Sequence, residues 1–241
     1  MTDIIAHRGA SYDYPENTML AFEKAVAEGA DGIETDVHLT ADNVLVICHD
    51  EKIDRTANGS GVIGEMTLAE LRAFDFGVKK DPKFAGQEIP TLEQLLTLIR
   101  DTGLKLNIEV KNEEGRYKGI VPALIDMVNA YGVADQVIYS SFDHTTLVEL
   151  KAYDPTVKTG ALYSHTPYNA FEYMRSIGVD AIHPKHTAVF TQDMCARTLA
   201  AGKMVNVWTV DDPEMAKKLA AAGVTSLITN RPAFLREALT K

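Results

Sequence analysis

Residues 32–39 read Gly-Ile-Glu-Thr-Asp-Val-His-Leu, and the parity of this stretch decides the fold class. Side chains alternate between the two faces of a strand, so Ile33, Thr35, Val37 and Leu39 share one face and Gly32, Glu34, Asp36 and His38 the other. The mostly apolar face suits a layer of helices. That turns the two carboxylates toward the axis or the mouth of a sheet closed on itself. Residues 104–111, Leu-Lys-Leu-Asn-Ile-Glu-Val-Lys, repeat the arrangement, with Leu104, Leu106, Ile108 and Val110 facing helices and Lys105, Asn107, Glu109 and Lys111 pointing inward.

Outward from these two strands, β-branched runs alternate with amphipathic segments along almost the whole chain. Strands are predicted at 3–8, 32–39, 104–111, 136–142, 158–164, 180–185, 204–210 and 225–229. Helices are predicted at 17–28, 92–100, 120–130, 145–152, 170–177, 192–201, 213–222 and 233–239. Gly29, Gly103, Gly132, Gly178, Gly202 and Gly223 each stand where a helix end wants a left-handed residue. Eight strand–helix pairs predict an α/β fold of the (β/α)8 TIM-barrel type. A doubly wound open sheet is the rival, but no Gly-x-Gly-x-x-Gly follows the first strand.

Residues 40–91 are too long for a simple connection. A turn at 40–43 and a returning strand at 44–49 predict a hairpin on the second barrel strand. Asn58-Gly59-Ser60-Gly61 reads as flexible, and 67–74 as a short helix opened by a Thr-x-x-Glu capping box. The expected organisation is a single barrel domain over 1–241, with a small capping insertion at about 50–90.

Composition narrows the function classes. Hydrophobic residues make up 46% and charged residues 24% of 241, enough apolar material for one large core without disulfides. Cys48 and Cys195 fit no metal-ligand spacing and read as buried, inert thiols. The formal charge of −10, from 34 acids against 24 bases, argues against nucleic acid and against an anionic lipid surface as partners. With no signal-peptide pattern and no apolar run of about 20 residues, a cytoplasmic protein is expected. The outer helices are where a homodimer would form, and the sequence leaves the assembly state open.

Glu34, Asp36 and Glu109, converging at strand ends, would repel one another unless a cation resolved the conflict. Oxygen ligands point to one divalent cation, Mg²⁺ or Ca²⁺. An isolated Glu-x-Asp more often salt-bridges to nearby bases; a third acid at matching depth shifts the weight to a metal. His7 ends the first strand at the same opening. If Leu39 pairs with Val44 across the hairpin, His49 falls opposite Glu34, placing two imidazoles beside the acids, a pairing suited to proton transfer. Three carboxylates, a divalent ion, Arg8 and Lys111 sum to a single positive charge, the complement of a phosphodiester. Arg8 would clasp its oxygens through a forked guanidinium. Trp208 stands at a strand end, where it walls the pocket or caps the core.

Taken in order, His7-Arg8-Gly9-Ala10, Pro15-Glu16-Asn17-Thr18, Ala21-Phe22, residues 29–37, His49-Asp50, Asp54-Arg55-Thr56, residues 107–111 and residues 205–210 resemble the glycerophosphodiester phosphodiesterase family, in its soluble bacterial type. The resemblance implies a barrel enzyme hydrolysing glycerophosphodiesters, such as glycerophosphocholine or glycerophosphoethanolamine, to glycerol 3-phosphate and an alcohol. It implies Glu34, Asp36 and Glu109 as metal ligands, His7 and His49 as acid and base, and Arg8 and Lys111 on the phosphate. Which histidine is the acid is open, with His49 favoured; the nucleophile is water or the substrate's own hydroxyl. The alternatives are a phospholipase-like phosphodiesterase acting on lipid headgroups and a catalytically silent binding barrel.

Overall fold

The computed structural model describes residues 2–240. Its elements run β1 (Asp3–His7), α1 (Met19–Ala27), β2 (Gly32–Leu39), β3 (Leu45–Ile47), α2 (Leu68–Leu71), α3 (Leu92–Thr102), β4 (Lys105–Val110) and α4 (Ile120–Ala130). Then follow β5 (Val137–Ser141), α5 (His144–Tyr153), β6 (Lys158–Tyr163), α6 (Ala170–Ser176), β7 (Ala181–Pro184), α7 (Met194–Ala200), β8 (Met204–Val207), α8 (Pro213–Ala221), β9 (Ser226–Thr229) and α9 (Pro232–Thr240). All strands but β3 pair in parallel, in the order β1-β9-β8-β7-β6-β5-β4-β2, and the β1–β2 pairing closes the ring. This is the (β/α)8 barrel that the alternation predicts.

The helix α3 shows how sequence builds the wall. Leu92, Leu95, Leu96 and Ile99 recur at helical spacing and are all fully buried. They join Ile33, Val37, Leu106, Ile108 and Val110, the outward faces of β2 and β4, in the main core. Thr91 and Gln94 close a reciprocal capping box at its start, and Gly103 ends it at φ +72. Truncating one such leucine, Leu96→Ala, removes transfer energy and opens a cavity, a loss of about 2–5 kcal/mol.

The hairpin differs from expectation by one residue. Leu39 pairs with Leu45, not Val44, and Val37 with Ile47. Thr40 is the cause: its backbone N–H donates to the Val44 carbonyl at 3.0 Å and its Oγ1 accepts from Val44 N at 2.9 Å, so Val44 is drawn into the turn. A one-residue shift exchanges strand faces. Leu45 and Ile47 therefore join the main core, while Val46 and Cys48 join Ile53, Ala57, Ile63, Leu71, Phe76 and Ile89 in a small separate cluster. His49 is not laddered opposite Glu34; it lies beyond the end of β3.

Two further expectations change. The Asn58–Gly61 loop is tied down rather than flexible: Asn58 N donates to the Asp75 carbonyl at 3.1 Å and Ile53 N to the Gly61 carbonyl at 3.0 Å. The strand expected at 204–210 stops at Val207, leaving Trp208 in a single bridge to Lys185. Both cysteines are buried and unpaired. Among the described residues no helix is long and apolar enough to cross a membrane.

Candidate active site

Strand register brings the acids together. Glu34 lies beside His7 across β1–β2, and Asp36 beside Glu109 across β2–β4. One carboxylate oxygen from each of Glu34, Asp36 and Glu109 falls within 4.8 Å of the others, and all three residues are buried. Burial, the Asp36 charge and Glu109 push the Glu34 carboxyl well above the usual range. Burial likewise pushes Glu109 up to about 7, with Asp36 reinforcing it and Lys111 opposing. Asp36 alone is held low, because Lys111 and Arg8 outweigh its burial. Three buried acids that resist joint ionisation, with oxygen donors converging, fit a hard divalent cation.

The cations are anchored as closely. Lys111 Nζ sits 3.0 Å from Asp36 Oδ1 and also contacts Glu109 Oε1, so it is a buried partner of the acids and not a solvated rim charge. The chain turns sharply after β1, where Arg8 adopts φ +58 and its N–H donates to Glu34 Oε2 at 3.0 Å. Gly9 follows at φ +81, and a Cβ there would come within 2.6 Å of the Ala21 carbonyl carbon, so only glycine fits between the turn and α1. Arg8 Nη1 donates to Glu16 Oε1 at 2.8 Å, and Arg8 Nε lies 3.5 Å from Asp36 Oδ2, buried without a hydrogen bond. Asn17 Nδ2 donates to Asp36 Oδ2 at 2.8 Å, while its Oδ1 accepts from Thr35.

The two histidines are supported by different chemistry. Asn230 Nδ2 donates to Asp211 Oδ2 at 2.6 Å, which turns Asn230 Oδ1 toward His7 Nδ1 at 2.7 Å. An amide oxygen only accepts, so His7 Nδ1 carries the proton and Nε2, 3.9 Å from Glu34 Oε2, is bare. Burial and the adjacent Arg8 lower the His7 pKa to about 4, against the Asn230 hydrogen bond. His49 Nδ1 instead meets Asp50 Oδ1 at 2.5 Å. Burial lowers the His49 pKa too, opposed by Asp36 and Asp50. Buried His38 steadies the segment, its Nε2 reaching the His49 carbonyl at 3.3 Å and its Nδ1 the Tyr117 hydroxyl at 2.9 Å.

These groups surround one cavity of about 350 Å³ lined by His7, Arg8, Glu34, His49, Glu109 and Trp208, among others. Asn107 Oδ1 and Ser140 Oγ on its wall are buried without partners. Trp208 donates from Nε1 to the His183 carbonyl at 2.7 Å and meets Phe142 edge-on at 5.5 Å, so it walls the cavity. Six of the eight sequence-predicted residues line this cavity, and Asp36 and Lys111 lie buried behind it, joined to Glu109 through the Lys111 amine. Sequence reasoning gave no role to Asp211, Asn230, Asp50 or Arg55; Glu16, Asp50 and Arg55 stood in the motif run without a role.

With acid, imidazole and guanidinium groups at its C-terminal mouth, where barrel active sites lie, the fold is that of a hydrolytic barrel enzyme. Residues 7–234 match the glycerophosphoryl diester phosphodiesterase family. The chain belongs to that family and is a phosphoric diester hydrolase. It is similar to a glycerophosphodiester phosphodiesterase of Caldanaerobacter subterraneus subsp. tengcongensis, 39% identical over 236 residues, covering 97% of this chain and 96% of that protein. A glycerophosphodiester phosphodiesterase of Bacillus altitudinis is 34% identical, with 96% of each chain covered. Among solved structures, an Oleispira antarctica phosphodiesterase in complex with the product sn-glycerol-3-phosphate matches with a TM-score of 0.93 at 30% identity, covering 100% of this chain and 98% of that one.

Proposed function

We propose that this enzyme hydrolyses glycerophosphodiesters, such as glycerophosphocholine or glycerophosphoethanolamine, to glycerol 3-phosphate and an alcohol. The observation that carries the reading is the single cavity in which His7, Arg8, His49 and the carboxylates Glu34 and Glu109 meet. The product held by the Oleispira antarctica relative supports the glycerol side of the substrate.

Glu34, Asp36 and Glu109 would hold one divalent cation, Mg²⁺ or Ca²⁺, which when bound would offset most of the cluster's charge and polarise a phosphoryl oxygen. Arg8 and Lys111 add the positive charge that draws an anionic diester into an acidic protein. Arg8 Nε, a buried donor without a partner, is free for a phosphate oxygen. His7 acts as the base: its bare Nε2 takes a proton from the attacking hydroxyl as the oxygen–phosphorus bond forms, either water's in one displacement or the substrate's own through a cyclic phosphate that water then opens. His49, backed by a carboxylate that stabilises its imidazolium, gives its proton to the departing alkoxide as the ester bond breaks. Trp208 walls the glycerol side. The insertion at about 50–90 closes the flank of the mouth and supplies the support of His49.

The test is a coupled assay for glycerol 3-phosphate release across several headgroups, with and without Mg²⁺ and Ca²⁺. His7→Ala and His49→Ala should each lower turnover about 10²–10⁴-fold. Near-normal turnover in both would overturn the assignment. Calorimetric titration should show one Mg²⁺ or Ca²⁺ site that Glu34→Gln removes, and binding that survives this change would overturn the ligand set.

A further inference from the structure

We propose that Arg55 is a positioning residue that clamps the acid and the phosphate clasp into one unit, bridging Asp50 behind His49 to Glu16 behind Arg8. The proposal rests on the roles given above to His49 and Arg8, and it accounts for two motif fragments that those roles leave unused.

The contacts form an unbroken chain of alternating charge. His49 Nδ1 meets Asp50 Oδ1 at 2.5 Å, and Asp50 Oδ2 accepts from Arg55 Nε at 2.6 Å. The other edge of the same guanidinium engages Glu16 with two parallel bonds, Nη1 to Oε2 and Nη2 to Oε1, both 2.8 Å. Glu16 Oε1 also accepts from Arg8 Nη1 at 2.8 Å. Only a planar, five-donor group can hold two carboxylates at a fixed separation in this way. Lysine, with one point charge on a flexible stem, cannot.

The parts come from three places in the fold. Glu16 belongs to the connection between β1 and α1, Asp50 follows the hairpin, and Arg55 ends a 3₁₀ turn at Ile53–Arg55 inside the insertion. That turn is fixed from below, because Ile53 and Ala57 lie in the insertion's own apolar cluster. The clamp thus transmits the rigidity of the insertion to both sides of the mouth. Asp50 and Glu16 are both held ionised: against burial, their Arg55 hydrogen bonds bring each down to about 2, with His49 helping at Asp50 and Arg8 at Glu16. Among the described residues Arg55 bonds to Asp50 and Glu16 and not to the metal carboxylates, and it lines a second cavity of about 480 Å³ together with Glu16, Thr56 and Lys79. Small solutes therefore have access to it from outside the substrate cavity.

The two arms predict a split. Loosening His49 affects the proton-transfer step, hence kcat; loosening Arg8 affects phosphate capture, hence KM. In the full-length protein with Mg²⁺ and glycerophosphocholine, Arg55→Met should lower kcat and raise KM, each about tenfold, for the loss of one charge-assisted bond to Asp50 and the paired bonds to half-exposed Glu16. Glu16→Gln, which leaves the Arg55–Asp50 contact, should raise KM alone. Guanidinium chloride at about 50 mM should restore part of the Arg55→Met loss, by occupying the space between the two carboxylates. A residue with a merely structural role would lower the melting temperature and leave kcat and KM of the folded fraction in place. The proposal is overturned if folded Arg55→Met keeps both constants within about twofold of the parent. If Arg55→Met does not fold, an unchanged KM in Glu16→Gln overturns it instead. Arg8→Ala and His49→Ala separate the two levels: if they retain turnover, the site reading fails, and if only they lose it, the clamp alone fails.

Discussion

His7 and His49 line one cavity, and what stands behind each ring is different in kind. Behind His7 is a neutral amide, Asn230, oriented by the Asp211 carboxylate and half-buried just past the end of β9. Behind His49 is a carboxylate, Asp50, oriented by the half-exposed Arg55 of the insertion. An amide oxygen fixes a tautomer without adding charge, which suits a ring that must begin neutral. A carboxylate opposes the burial that lowers the His49 pKa and so favours its imidazolium, which suits the acid role proposed for that ring. The proposed division of labour between base and acid rests on these supports, not on the rings.

The comparison breaks hardest at Asp211. Its Oδ1 accepts from Thr229 Oγ1 and Asn230 N, both at 2.8 Å, and its Oδ2 from Asn230 Nδ2. In Asp211→Asn the single amide oxygen stays with the first two donors, leaving an NH₂ against Asn230 Nδ2. Donor facing donor is relieved by turning Asn230 over, which presents its NH₂ to His7 Nδ1 and moves the ring proton to Nε2. The base is then blocked in a folded protein. We expect kcat to fall about 10²–10⁴-fold with KM little changed. Nitrogen chemical shifts of His7 should exchange between the two ring positions. An unchanged tautomer, or turnover near that of the parent, would show that Asp211 does not govern the base.

How far this was legible follows from the physics of each element. Strand parity has period two, so the inward sets of β2 and β4, including Glu34, Asp36 and Glu109, could be read directly. His49 was placed correctly at the mouth for a wrong reason: the register argument failed because the Thr40 side chain competes for the Val44 amide, a local choice that periodicity does not encode. Asn230 and Asp211 were unreadable as a relay, since amide orientation depends on a tertiary partner 19 residues away. Lys111 was assigned a phosphate role from charge counting, yet its Nζ is already committed to Asp36 and Glu109. Its pKa is raised because those acids outweigh the cost of burial.

Acid separates the two supports by pH window. His7 is lowered to about 4 in the folded protein against 6.5 in the unfolded chain. Between those values the unfolded state binds more protons, so stability that is full above 6.5 is lost as pH falls toward 4. His38, lowered to about 4, and His183, lowered to about 3, both chiefly by burial, add to the same slope. Glu16 and Asp50, each lowered to about 2, contribute stability present above their unfolded values of 4.5 and 3.8, lost only as pH falls through about 2. Glu109, raised to about 7, and Glu34, raised well above 4.5, oppose this slope in metal-free protein. The first loss, between pH 6.5 and 4, is therefore read in urea unfolding as the difference between the parent and a variant lacking the ring. His7→Asn should reduce that first loss by on the order of 3 kcal/mol and leave the lower limb intact. A first limb indifferent to His7 would mean that the ring is not buried neutral.

Salt makes the finest distinction. The Arg55 side chain is 47% exposed and its partners Asp50 and Glu16 are 34% and 23% exposed, so dissolved ions reach this support. Raising ionic strength from about 0.1 to 1 M shortens the screening length from about 10 to 3 Å and weakens exposed pairs by about 0.5 kcal/mol. Both supports share the substrate's own salt dependence, which cancels when each variant is compared with the parent at the same salt. The kcat/KM advantage of the parent over Arg55→Met should shrink about two- to threefold across that range, because salt erodes in the parent what the variant has already lost. Its advantage over Asp211→Asn should hold nearly constant, because that variant acts through the orientation of a half-buried amide and not through an ion pair. Parallel salt profiles for the two variants would mean that both histidines are held by the same kind of force, and the contrast between an amide-set base and a charge-set acid would not stand.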